Sequence, residues 1–188
     1  MIELFARLKQ APPISLEGQM ALASMITRKE LPKGYLLLEQ GNVCQHFYLL
    51  EKGFARGYYN HEGKDVSLWF AFEGDILTSL YSYATGKPSY TSIEILEDSV
   101  VNGFTFGQLN DLLEKYPEFN LVGRLLAEQY FIELEERTLS FQFKTATERY
   151  YELIRKHPQI LRRASLGHIA SFLGVSQETL SRIRAKRE

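Results

Sequence analysis

The pattern of apolar and polar positions changes along the chain and predicts a different structure in each part. In the N-terminal stretch, apolar residues recur at three- and four-residue spacing, which predicts a helix as far as about Glu30. From Leu31 to about Phe106, recurrent glycines separate short runs rich in leucine, β-branched and aromatic residues. Because short strands separated by turn signals are typical of an antiparallel sandwich or barrel, we predict an eight-stranded β-roll here.

A long helix is predicted from Glu118 to about Phe143, directly after Pro117 and in a region where glycine nearly disappears. Its apolar residues form two stripes. One stripe comprises Phe119, Val122, Leu126, Tyr130 and Leu134, and the other comprises Leu121, Leu125, Ile132 and Leu139. A helix that is apolar on two sides needs two surfaces to bury it, and spacing by seven suits a twin helix. We therefore expect the β-roll to cover one stripe and a second copy to cover the other. A helix sandwiched within one domain remains the alternative.

The C-terminal segment carries the most specific pattern, that of two short helices joined by a tight turn. Ser165 and Ser176 are suited to cap the two helices, and Gly174 can adopt the left-handed conformation that ends the first. The residues expected to face inward are Ile169, Ala170, Leu173, Leu180 and Ile183. This spacing predicts a helix-turn-helix, which completes an α+β fold: antiparallel β-roll (jelly roll), long dimerisation helix and small helical domain.

The second helix of this motif presents polar side chains that suit the major groove of DNA. Arg182 can bind guanine through two hydrogen bonds, Glu178 can accept from the amino group of cytosine, and Gln177 can pair with adenine. Thr179, Arg184 and the residues that follow are better placed for phosphates. The predicted DNA-binding residues are Ser176, Gln177, Glu178, Thr179, Ser181, Arg182, Arg184 and Lys186. The alternative is that Glu178 only complements the helix dipole and Arg182 is an ordinary surface arginine.

The distribution of charge supports a phosphate-rich partner. The net charge is only −1, but residues 144–188 carry ten basic and four acidic side chains. The remaining 143 residues carry twelve basic and nineteen acidic side chains. A basic segment on an acidic body is typical of proteins that bind nucleic acid, although a solvated basic helix face has the same composition.

Composition excludes several other classes of protein. The single Cys44 among 188 residues rules out an internal disulfide framework, a Cys-rich zinc site and an iron–sulfur cluster held by one chain. No run of 18 apolar residues predicts a membrane span, and the first residues do not resemble a signal peptide, so we expect a cytoplasmic protein. A metal-dependent enzyme on a β-roll needs converging histidines, whereas His46 and His61 are fifteen positions apart. The sequence predicts neither an enzyme nor a haem or metal cofactor.

The chain resembles the cyclic-AMP receptor protein/FNR family of bacterial transcription regulators over nearly its whole length. The resemblance rests on the motifs Lys33-Gly34, Glu39-Gln40-Gly41, Phe47-Tyr48-Leu49, Gly53 and Glu97-Asp98-Ser99 in the roll and on the stretch 169–184. It implies a sensor domain over residues 1–117, a dimerisation helix over 118–143 and a DNA-binding domain over 144–188. It further implies a homodimer that binds palindromic double-stranded DNA, with RNA polymerase and a small-molecule effector as further candidate partners.

Two departures from the family pattern modify these expectations. Thr78 and Ser79 replace the Gly-Glu pair that contacts the ribose of a cyclic nucleotide, and Ser89 stands where the phosphate-binding arginine would fall. A phosphate in a partly buried pocket needs a compensating cation, so cyclic-AMP binding is not expected. The candidate contacts for an effector of different chemistry are Thr78, Ser79, Tyr81, Lys87, Ser89 and Tyr90. For the tyrosines, packing in the aromatic core is the favoured alternative. The sequence also leaves no room for a wing hairpin after Ile183, which predicts strongly salt-dependent binding.

One further hypothesis stays open at this point. The chain can be a dimeric module that binds a small molecule in its β-roll, with a helix-turn-helix that serves only packing. DNA binding distinguishes this hypothesis from that of a regulator.

Overall fold

The computed structural model describes residues 12–185, which form eight strands and eight helices. Two four-stranded antiparallel sheets face each other, in the strand orders β1-β8-β3-β6 and β2-β7-β4-β5. The strands are β1 (Thr27–Leu31), β2 (Leu36–Leu38), β3 (His46–Lys52), β4 (Ala55–His61), β5 (Lys64–Ala71), β6 (Ile76–Leu77), β7 (Ser92–Ile95) and β8 (Ser99–Thr105). The predicted eight-stranded antiparallel β-roll is therefore confirmed.

The core of the roll forms between the two sheets because alternate side chains of each strand point inward. Leu50, Ala55, Leu77, Ile95 and Val101 are completely buried there. Outward-facing positions on the same strands are more exposed, as the pattern of β8 shows. Most of the stability of the roll comes from this apolar burial.

The helices begin with side-chain caps where the sequence supplies them. They are α1 (Leu16–Met25), α2 (Leu80–Thr85), α3 (Phe106–Lys115), α4 (Glu118–Phe143), α5 (Ala146–Lys156), α6 (Ile160–Arg163), α7 (Leu166–Phe172) and α8 (Gln177–Ala185). Thr105 and Thr145 each form a capping box, at the start of α3 and α5.

Within residues 12–185, no helix is both long enough and apolar enough to cross a membrane.

The N-terminal helix is shorter than predicted. It ends at Met25, and Glu30 lies in strand β1 instead. Residues 27–31 pair with β8 in a regular antiparallel register that begins with Thr27 opposite Gly103. The prediction was wrong because apolar spacing cannot reveal a partner strand that lies 68 to 76 positions away.

The long helix α4 buries apolar side chains within its own chain only at its start, and near its end Arg137 and Phe141 contact the helices that follow. Phe119 and Val122 are buried, and Phe119 packs with Leu22 and Leu112 of α1 and α3. The expectation that the roll covers a full stripe is wrong, because α1 and α3 cover only the first turns. Downstream apolar side chains that remain exposed in the single chain are Tyr130, Phe131, Ile132, Leu134, Leu139, Phe141 and Phe143.

Candidate nucleic-acid interface and effector region

Helices α7 and α8 are joined by a tight turn whose residues have the predicted conformations. Gly174 is left-handed, with φ of 68°, and the amide of Val175 donates to the carbonyl of Ala170 over 3.0 Å. Ser165 Oγ accepts a hydrogen bond from the amide of His168 over 3.1 Å. Ser176 Oγ accepts one from the amide of Thr179 over 3.2 Å, so both predicted caps are formed.

The inner face of this helix pair is fully apolar. Each residue that the sequence places on it is buried, namely Ile169, Ala170, Leu173, Leu180 and Ile183. Burial of these side chains sets the angle between α7 and α8, since Ala170 is small enough to let the two helices approach. The remaining face of α8 is turned outward.

The outer face of α8 displays most of the predicted DNA-binding residues. Ser176, Gln177, Glu178, Ser181, Arg182 and Arg184 are exposed, and Thr179 is partly buried. Hydrogen bonds from the Ser176 side chain and from its own backbone amide hold the pKa of Glu178 below its ordinary value, and Arg182 adds to the effect. The helix therefore presents a charged carboxylate beside a guanidinium. Lys186 lies outside the described residues.

Gln177 is held more closely to the first helix than the sequence suggests. A Cβ placed on Gly167 of α7 would lie only 2.8 Å from Nε2 of Gln177. The glycine thus permits the side-chain amide to lie against the backbone of α7. Sequence spacing does not show this approach.

The hydroxyl groups predicted to bind an effector are engaged within the roll. Thr78 Oγ1 donates to the carbonyl of His46 over 2.9 Å, and Ser79 Oγ caps α2 by accepting from the amide of Ser82. Ser89 is buried, and its Oγ donates to the carbonyl of Thr91 over 2.9 Å. Each of these three hydroxyls therefore has a hydrogen-bond partner within the roll.

Tyr81, Tyr90 and Lys87 lie at the surface around α2. The tyrosine hydroxyls are 3.3 Å apart and the ring centroids 4.7 Å apart. The Lys87 side chain is exposed, while its carbonyl accepts a hydrogen bond from Ser82 Oγ. Binding of an effector by these residues and by the three hydroxyls stays a prediction.

The buried charge of the roll lies at a position that the sequence analysis did not single out. Arg56 on β4 bonds to Glu94 and Asp65 over 2.7 and 3.1 Å, and its guanidinium lies 4.1 Å from the ring centre of Tyr58. The feature of the sequence that could have indicated it is an arginine within a run of strand-forming residues. Because Glu94 and Asp65 compensate the charge of Arg56, this cation is not free for a phosphate.

No metal site emerges from the titratable residues. Over the part of the chain that the structure describes, no group of three His, Cys, Asp or Glu side chains is arranged to hold a metal ion. Cys44 is buried in the roll with its sulfur 3.4 Å from the carbonyl of His46.

Comparisons with known proteins agree with this architecture. Residues 28–116 match the family model of the cyclic nucleotide-binding domain. The catabolite activator protein of Thermus thermophilus is 22% identical, with 97% of this chain and 85% of that one aligned and a TM-score of 0.59. A mutant of CooA from Carboxydothermus hydrogenoformans is 16% identical, with 96% and 86% aligned and a TM-score of 0.71.

A third solved structure carries the family name. It is described as a transcriptional regulator of the Crp/Fnr family from Eubacterium rectale and is 17% identical, with 90% and 82% of the two chains aligned and a TM-score of 0.71. No curated protein matches the sequence. Residues 28–116 are therefore similar to the cyclic nucleotide-binding domain, and the chain has the fold of the solved regulators that it matches over 90% or more of its length.

Proposed function

We propose that the chain is a cytoplasmic, homodimeric transcription regulator that binds double-stranded DNA at palindromic sites through helix α8. The observation that carries this proposal is the capped helix pair, with a completely buried inner face and an exposed outer face that bears Gln177, Glu178 and Arg182. This division of faces suits a helix-turn-helix whose second helix enters the major groove. Ser181 and Arg184 extend the same exposed surface.

The exposed apolar side chains of α4 support the homodimer. Phe131 is 64% exposed and Ile132 54% exposed in the single chain, although both are large and apolar. Such a patch on one helix indicates a protein partner, and a second α4 in parallel supplies a matching surface. In the dimer, the two α8 helices should lie about 34–36 Å apart to enter successive major grooves.

The β-roll is the proposed sensor, and its ligand is not a cyclic nucleotide bound in the usual way of the family. Ser89 supplies no cation, and Arg56 is already paired with Glu94 and Asp65. A bound cyclic phosphate would therefore lack a compensating charge. A small-molecule effector of other chemistry and RNA polymerase are the remaining proposed partners.

Selection of bound sequences from a random duplex pool tests the proposal. We expect enrichment of palindromes whose half-sites are about one helical turn apart. Running the selection with and without a metabolite extract tests whether an effector is required. Affinity for the enriched site should fall steeply with salt, since phosphate contacts release counterions. Failure to enrich any sequence, even at low salt, would leave the helix pair with a packing role only.

A further inference from the structure

Arg163 of the helical C-terminal part forms ion pairs with the roll. Arg163, at the end of α6, is only 17% exposed at its side chain. Its Nη2 atom lies 2.7 Å from Oε1 of Glu73 and 2.6 Å from Oε1 of Glu97. The same nitrogen donates to the carbonyl of Gly53 over 2.6 Å. Arg163 thus contacts three separate turns at one end of the roll.

The three turns are themselves tied together. Glu73 follows β5 and accepts a hydrogen bond from the amide of Gly53, between β3 and β4, over 3.1 Å. Glu97 lies between β7 and β8. The guanidinium of Arg163 holds the pKa of Glu73 at about 2, so the pair remains ionised under ordinary conditions. Charge-assisted bonds of this kind are among the stronger polar contacts in proteins.

Aromatic packing surrounds the ion cluster. The guanidinium carbon of Arg163 lies 5.0 Å from the ring centre of Phe54 and 5.7 Å from that of Phe72. The ring of His157, at the end of α5, stacks on Phe72 at 4.6 Å and 6°. Phe54, Phe72 and Leu96 of the roll share one apolar cluster with the buried residues of helices α5–α8. The helical part therefore has no core separate from the roll.

A second contact holds α7 on the edge strand β5. The amide of Ser67 donates to Ser171 Oγ over 3.1 Å, and the rings of Phe70 and Phe172 are 5.3 Å apart. Since α8 packs directly on α7, the placement of α8 follows from these contacts and from Arg163. The outer face of α8 remains exposed in this arrangement.

We propose that Arg163 is a positioning residue that fixes the DNA-reading helix pair on the roll through Glu73, Glu97 and Gly53. A change in the turns of the roll then reaches α8 through this contact. The inference rests on the proposed function as far as DNA is concerned. The attachment itself can be measured without DNA.

The first test compares Arg163→Met with Arg162→Met. Methionine keeps apolar contact with Phe54 and Phe72, and Glu73 and Glu97 are exposed enough for water to replace the guanidinium. Arg162 is the exposed neighbour, so its variant loses the same charge without loss of the contact. In hydrogen exchange, we expect the Ser67 amide and the amides of α7 to exchange faster in R163M only. Amides of β1 and β8 should be unchanged in both variants.

The second test uses the palindrome selected by the wild-type protein. R163M should bind it about ten- to hundredfold more weakly, a range typical of coupling between sites. It should also tolerate a wider range of half-site spacings, while its binding to random duplex should equal that of R162M. Arg163→Lys should be intermediate, because lysine keeps the charge but cannot contact all three turns.

The two proposals fail in different ways. Suppose that the wild-type protein selects no DNA site, but the amides of α7 exchange faster in R163M than in R162M. The attachment of α7 through Arg163 is then supported, and the DNA-binding proposal fails. If R163M and R162M have the same exchange rates, Arg163 does not hold α7 on the roll. If both variants also have the same spacing preference, the positioning role is excluded.

Discussion

Arg182 and Glu178 lie next to each other on the exposed face of α8, and their chemistry differs from that of the phosphate-binding residues. Ser176 and the backbone keep the Glu178 carboxylate charged, and Arg182 lies nearby. A guanidinium in the major groove can bind guanine through two hydrogen bonds, whereas a phosphate contact carries no sequence information. If α8 binds DNA as proposed, discrimination between base pairs depends on these two side chains.

Replacement of Arg182 by alanine should weaken binding to the selected palindrome by about 1–3 kcal/mol and relax discrimination at one base pair per half-site. Competition binding against single-base variants of the palindrome measures both effects. Arg155→Ala is the matched control, because Arg155 is exposed on α5 and outside the proposed interface. An equal loss on every sequence would identify Arg182 as a phosphate contact instead.

Glycine at position 57 is required by the packing of the roll. A Cβ at Gly57 would overlap the indole ring of Trp69, the residue paired with it on β5. β4 is hydrogen-bonded on both sides, to β5 and β7, and has little freedom to move.

Gly57→Ala should therefore lower the free energy of unfolding by about 1–3 kcal/mol, the usual cost of overpacking. Gly107→Ala offers the opposite case, because the nearest atom to its new Cβ would be 3.8 Å away. That substitution, in helix α3, should be neutral or stabilise by about 0.4–1 kcal/mol. Urea unfolding measures both; equal destabilisation would show that Trp69 does not restrict Gly57.

At the scale of elements, α4 is unusual because most of its length has no cover within the chain. Its first turns pack on α1 and α3, and its later turns expose large apolar side chains. An isolated helix of this kind is poorly stabilised in water, since most helical stability in proteins comes from packing. A second copy is therefore expected to contribute to the folding of α4 as well as to assembly.

Ile132→Asp should dissociate the dimer, because a charge buried between two α4 helices would be uncompensated. Sedimentation equilibrium should then report a monomer, and binding to the palindrome should fall to the level of a single half-site. Met20→Asp is the control, since Met20 is 65% exposed on α1, away from α4's exposed turns. A dimer that survives Ile132→Asp would place the interface elsewhere.

Across the whole molecule, half-buried histidines are expected to make stability depend on pH near neutrality. Burial lowers the pKa of His46, His157 and His168 from their ordinary value. His157 stacks on Phe72, and the pKa of His168 is lowered further by Arg56, so both lie where the helical part meets the roll. Nδ1 of His168 is buried with no hydrogen-bond partner among the described residues.

Because the folded pKa values lie below that of an unfolded histidine, the unfolded chain binds more protons as pH falls. This contribution to stability should be complete well above pH 6.5 and be lost as pH falls through the folded pKa values. Urea unfolding at pH 7.5 and 5.5 should show the loss, and His157→Phe, which preserves the stacking, should reduce it. A loss of the same size in the variant would exclude His157 as a source.

Local signals in the sequence account for the elements that were predicted correctly. Ser165, Gly174 and Ser176 specify caps and a turn through atoms that lie within five residues of one another, so no distant partner is needed. Glycine turns and apolar runs likewise indicated the eight strands. The helix predicted as far as Glu30 failed because pairing with β8 is a long-range interaction that outweighs local spacing.

Contacts between distant parts of the chain explain what could not be anticipated. Arg163 is separated from Glu73 by 90 positions and from Glu97 by 66. In the sequence alone, nothing distinguishes Arg163 from Arg162 beside it, which is exposed. Likewise, the sequence does not show whether the hydroxyls of Thr78 and Ser89 face a ligand pocket or bond within the protein. In the structure, both donate hydrogen bonds to backbone carbonyls. Amino-acid order specifies caps, turns and the polar face of α8, because these depend on near neighbours. Only the tertiary structure decides that Arg163, and not Arg162, contacts the roll. The reason is that the three turns with Gly53, Glu73 and Glu97 are distant in sequence and come together only when the chain is packed.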